Sequence, residues 1–122
     1  MYKELIETFP LYRGKLCVIN TNSNGLLLRK HDLELKDKEL YASTIDGCIK
    51  INNSNYYCTY IILNTNNSFT PITHGVIAHE AFHASNFLLS RRGVIIDRDN
   101  DEAQAYLIDW ITDQIHRLIK IK

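Results

Sequence analysis

Thr73-His74-Gly75-Val76-Ile77-Ala78-His79-Glu80-Ala81-Phe82-His83-Ala84-Ser85-Asn86-Phe87-Leu88-Leu89-Ser90 is the stretch on which the reading of this chain turns. Val76, Ile77, Ala81, Ala84, Phe87 and Leu88 recur at three- and four-residue steps, which predicts an amphipathic helix over 73–90. Thr73 suits its N-cap, and Gly93, after Arg91-Arg92, suits a left-handed C-terminal cap. Inside this helix stands His79-Glu80-Ala81-Phe82-His83, an HExxH motif. Residues four apart lie one above the other on a helix face, so both imidazoles can reach one metal ion. The glutamate beside the first histidine is then placed to act on a water rather than to ligate. These residues predict a zinc site with His79 and His83 as ligands and Glu80 as acid/base.

Catalytic zinc takes three protein ligands and keeps a fourth position open, so a third is sought downstream. Six residues after His83 stands Leu89, and position 86 is Asn86 rather than glycine, which excludes the metzincin pattern. A second helix is predicted from about Asp101 to Lys120, with Ala103, Leu107, Trp110, Ile111, Ile115, Leu118 and Ile119 as its apolar face. Asp99 or Asn100 suits its N-cap, Asp99 and Glu102 resembling a capping box. The basic end Arg117, Lys120 and Lys122 complements the helix dipole. Glu102, 19 residues after His83, is the leading third ligand, and Asp101, Asp99 and His116 are the alternatives. Glu102, Tyr106, Asp109 and Asp113 share one stripe of that helix. Tyr106 is a candidate oxyanion donor, and Asp109 could orient a ligand imidazole. Asn86 is a candidate hydrogen-bonding partner behind the metal, while His74 and His31 read as peripheral.

Outward toward the N-terminus the chain reads as β-rich. Lys15–Asn20 predicts a strand, and the run Asn20-Thr21-Asn22-Ser23-Asn24-Gly25 a turn, after which Leu26-Leu27-Leu28 resumes an apolar segment. Residues 32–41 suggest a short helix. Cys48–Ile51 and Tyr56–Leu63 form the clearest strand pair, with Asn52-Asn53-Ser54-Asn55 as the hairpin turn. The expected architecture is α+β: a small, mostly antiparallel sheet, then the HExxH helix, then a C-terminal glutamate helix.

The 122 residues suit one domain, 1–122, without repeat or linker. Apolar residues are 45% and charged residues 23% of the chain, and the formal net charge is zero. That balance speaks against nucleic acid and anionic membranes as partners. No apolar run approaches the roughly 20 residues of a membrane span, and the N-terminus shows no secretory signal. Three cysteines, Cys17, Cys48 and Cys58, without close pairing read as buried reduced thiols, and the expected location is cytoplasmic.

The combination of His79-Glu80-Ala81-Phe82-His83-Ala84 with Asp101-Glu102-Ala103-Gln104-Ala105-Tyr106 resembles the glutamate-zincins, in particular small metallopeptidases encoded by bacteriophages. The resemblance covers roughly residues 56–110. It implies a minimal zincin fold with Zn2+ held by His79, His83 and Glu102, and Glu80 passing a proton between water and the leaving amine. It further implies a polypeptide substrate or partner protein, and a substrate edge at the strand Tyr56–Leu63. An alternative keeps the zinc and makes the domain a virion or assembly component docking on other phage structural proteins. A third reading, a regulatory metalloprotease cutting one partner such as a repressor, would need a DNA-binding module from that partner.

Overall fold

The computed structural model describes residues 2–33, 41–67 and 70–120. In chain order its elements are β1 (Tyr2–Thr8), β2 (Lys15–Thr21), α1 (Asn24–His31), β3 (Ala42–Ile51), β4 (Ser54–Leu63), α2 (His74–Arg91) and α3 (Glu102–Leu118). The four strands form one sheet in the order β1-β2-β4-β3. β1/β2 and β3/β4 are antiparallel, and β2/β4 is parallel. The architecture is α+β, with all strands preceding the two long helices, as the sequence predicts.

Local chemistry explains most of the boundaries. Ile51 pairs with Ser54, so only Asn52 and Asn53 form the β3/β4 turn, and both have positive φ (51° and 67°). A two-residue hairpin of the I′ kind requires that, and asparagine tolerates it better than most residues. Ser23 caps α1 by accepting from the Leu26 amide, and Asp32 ends it in the left-handed region at φ 54°. Thr73 caps α2 by accepting from the Val76 amide, and Gly93 follows the helix at φ 73°.

Two expectations need correction, and one strand was not foreseen. The turn expected over Asn20–Gly25 is shorter, because β2 runs to Thr21 and α1, capped by Ser23, starts at Asn24 and takes in the apolar segment Leu26–Leu28. The α3 cap is Asp101, and no side chain bonds its first amides. Asp99 is instead occupied upstream, where its amide donates to Asp97 Oδ1. Strand β1, which the sequence reading passed over, pairs along its full length with β2. Of the helix expected over 32–41, residues 34–40 lie outside the described residues; Asp32 is the α1 cap, and Tyr41 immediately precedes β3.

The sheet is covered on both faces. Leu16, Val18, Ile61 and Leu63 pack against Ile77, Ala81, Ala84 and Leu88 of α2 and Leu107, Ile111 and Ile115 of α3. Cys17, Ile19, Cys58, Tyr60 and Ile62 face the other way, with Leu27 of α1 and Ile49. Burial on both faces is why β4 reads as an unbroken apolar run instead of an alternation. It also makes β4 a central strand, flanked by β2 and β3, so the substrate edge expected at Tyr56–Leu63 is not there. Among the described residues the outer strand on that side is β3.

No described helix is long and apolar enough to cross a membrane. Cys17 and Cys58 are buried free thiols, whereas Cys48 is exposed, contrary to the expectation that all three are buried.

Candidate metal centre

Helix α2 turns its small and aliphatic residues to the sheet and α3, which leaves His79 and His83 on the exposed side. Their Nε2 atoms lie 3.1 Å apart, with ring centroids 4.7 Å apart and planes at 76°. Two imidazole ligands of one tetrahedral zinc, at about 2.05 Å each, stand roughly 3.3 Å from one another. The two rings are hydrogen-bonded to each other and stand within a few tenths of an ångström of the spacing of two donors sharing an ion. Phe82 is exposed beside it, its ring edge-on to that of His83 at 6.1 Å.

Glu80 behaves differently from its neighbours. It points inward between α2 and β3 and is only 7% exposed. Thr44 Oγ1, on β3, donates to Glu80 Oε2 at 2.5 Å and lies 3.3 Å from the Glu80 carbonyl oxygen. A buried carboxylate needs such a donor. The bond also sets the direction in which the carboxylate faces. His79 and Glu80 form one wall of a groove of about 520 Å³ that continues along Tyr41, Ala42, Thr73 and Val76. The start of outer strand β3 thus runs beside His79 and Glu80. Thr44 escaped the sequence reading because the strand was placed only from Cys48. Residues 42–47 carry no apolar–polar alternation that would have extended the strand toward it.

The proposed third ligand does not join the pair. Helices α2 and α3 run antiparallel. Gln104 Nε2 donates to Ser85 Oγ (3.0 Å) and to Asn86 Oδ1 (2.6 Å), and the rings of His74 and His116 lie 5.3 Å apart, tilted at 41°. That register sets Glu102 level with about Leu88, some five residues or roughly 7.5 Å beyond His83 along the helix axis. Glu102 is exposed in the first turn of α3. Among the described residues no carboxylate or thiol comes within 4.8 Å of both imidazoles. His116 lies against His74 at the far end of the helix pair. Tyr106, level with His83, is 70% exposed, and Asp109 and Asp113 are exposed along the same stripe.

Asn86 is committed to Gln104, so it ties the two helices together instead of standing behind the metal pair. Gln104, unremarked in the sequence, is buried and bridges α3 to Ser85 and Asn86. Each such bond contributes about 1 kcal/mol net, and more is lost if one buried partner is left alone. His31 is not the surface residue it was expected to be. It is half-buried and paired with Glu4 on β1.

Comparison with protein-family models, with curated proteins and with solved structures finds no match to this chain.

Proposed function

We propose that this chain is a zinc-dependent metallopeptidase whose centre is His79, Glu80 and His83. The observation that carries the reading is the convergence of the two Nε2 atoms to 3.1 Å beside a buried, oriented carboxylate at the wall of a groove. Such a donor pair suits zinc, though two imidazoles and a carboxylate accept other divalent ions. His79 and His83 would hold the ion, with Glu102 the carboxylate proposed to complete the set when its side chain and the first turn of α3 turn toward His83. Zinc there supplies a Lewis acid for a carbonyl and lowers the pKa of water toward neutrality.

The remaining work falls to the chain's own side chains. Glu80 takes a proton from water and returns it to the departing amine. Thr44 positions Glu80, since its hydroxyl fixes the acceptor Oε2 and leaves the other carboxylate oxygen for the proton. The groove beside β3 accommodates an extended polypeptide, the substrate class proposed here. Tyr106 is the proposed donor to the developing oxyanion; its exposed phenol would have to fold over the groove.

The test uses protein purified without added metal or a metal-binding tag. At least one zinc per chain is expected, one of which His79→Ala/His83→Ala loses, with cleavage of unstructured peptides that a chelator abolishes and zinc restores. Zinc bound without cleavage of any peptide library would overturn the hydrolase and leave a zinc-holding docking domain. Thr44→Val should keep zinc and lower kcat by about 10- to 100-fold, the worth of one hydrogen bond to a charged group. Unchanged turnover in that variant would remove Thr44 from the mechanism.

A further inference from the structure

A second set of metal-binding side chains lies on the opposite face of the sheet. Glu4 on β1, Cys17 on β2 and His31 at the end of α1 place one carboxylate oxygen, one sulfur and one ring nitrogen all within 4.8 Å of one another. Three separate elements converge here, so the cluster is a product of the tertiary fold and not of one helix's periodicity. We propose that Glu4, Cys17 and His31 form a second transition-metal site of the zinc class, independent of the His79/His83 centre.

The donor set argues for the class of ion. One thiolate, one imidazole and one carboxylate are borderline-soft ligands that zinc and cobalt accept, whereas calcium and magnesium ask for oxygen alone. Geometry agrees. His31 Nε2 and Glu4 Oε1 face each other at 2.5 Å. Donors around a tetrahedral zinc stand roughly 3.3–3.7 Å apart. Opening that pair by about 1 Å asks little of an outer strand and of the last residue of an eight-residue helix. Tyr2 Oη donates to Glu4 Oε1 at 2.8 Å, the kind of outer bond that aims a ligating carboxylate. The ring of Tyr60 packs against His31 at 5.4 Å.

Access and burial are divided in a way that suits a three-ligand site. Cys17 is 0% exposed and lies beneath the cluster, while Glu4 and His31 line a cavity of about 800 Å³ that also reaches Tyr60 and Ile49. An ion would therefore meet sulfur from below and keep a fourth position toward the cavity. Thiolate forms there when a cation replaces the proton, which makes a sulfur–metal absorption band a specific report of occupancy.

The experiment titrates cobalt(II) into the His79→Ala/His83→Ala protein, which removes the other centre and so separates the two proposals. A near-ultraviolet sulfur-to-cobalt charge-transfer band saturating near one cobalt per chain is expected. Cys17→Ser should abolish that band and Cys48→Ser should preserve it. Glu4→Gln and His31→Gln, which touch the partly exposed ligands and spare the core, should each weaken cobalt binding at least about tenfold. Circular dichroism reports whether Cys17→Ser is folded; if it is not, the Glu4 and His31 variants decide. No band in the double-alanine protein would overturn the site. So would a band lost in Cys48→Ser, or one indifferent to both Glu4→Gln and His31→Gln.

Discussion

Glu80→Gln is expected to bind zinc as the wild type does and to lose peptide hydrolysis by about 10²- to 10⁴-fold, the usual worth of a general acid/base. The substitution is a clean one at this position. Glutamine keeps a side-chain oxygen for the Thr44 hydroxyl, so the hydrogen bond between α2 and β3 survives. It keeps the volume of a side chain that is almost wholly buried. It does not touch the convergence of His79 and His83, whose nitrogens lie on the exposed side of the helix. Only the capacity to accept and return a proton is removed. Zinc content by elemental analysis and turnover of an unstructured peptide would be measured on the same preparation. Undiminished turnover with zinc in place would end the mechanism, because no other buried carboxylate lines that groove among the described residues.

The second large effect is on the metal itself. His83→Ala should weaken zinc binding by more than about 100-fold, beyond the 10- to 100-fold that outer partners of a ligand contribute. One imidazole alone, on an exposed helix face, would bind a divalent ion far more weakly than two sharing it. The fold should be unaffected, since His83 contributes nothing to either apolar core. Glu102→Ala is the sharper companion. As a third ligand, Glu102 would lower zinc affinity by a comparable factor on removal. A variant that binds zinc as tightly as wild type would return Glu102 to the role its position displays, an acidic residue complementing the dipole at the start of α3. Both variants would be measured by competition with a chelator of known affinity, with circular dichroism as the control for folding.

The pairing of His79 with His83 needed nothing beyond the chain, because helix periodicity alone places positions four apart on one face. The same local rules located α2 with its Thr73 cap and the glycine just past its end, a hairpin turn within 52–55 and the apolar face of α3. Each of these follows from interactions between near neighbours in sequence. Strand order did not. β4 is central because it pairs with β2 on one side and β3 on the other, and both of its faces are covered. A continuous apolar run announces such burial but does not say which strand lies on either side.

Thr44 as the partner of Glu80 joins residues 36 apart, and the Glu4–Cys17–His31 cluster joins two strands and a helix. Glu102 is the reverse case. Its motif spacing suggested a ligand, but the register of α3 against α2, marked by Gln104 on Ser85 and Asn86 and by the His74–His116 ring contact, carries it about 7.5 Å past His83. Periodicity places side chains along one helix. The rise and rotation of a second helix against it depend on how two surfaces pack, and only the tertiary structure decides that.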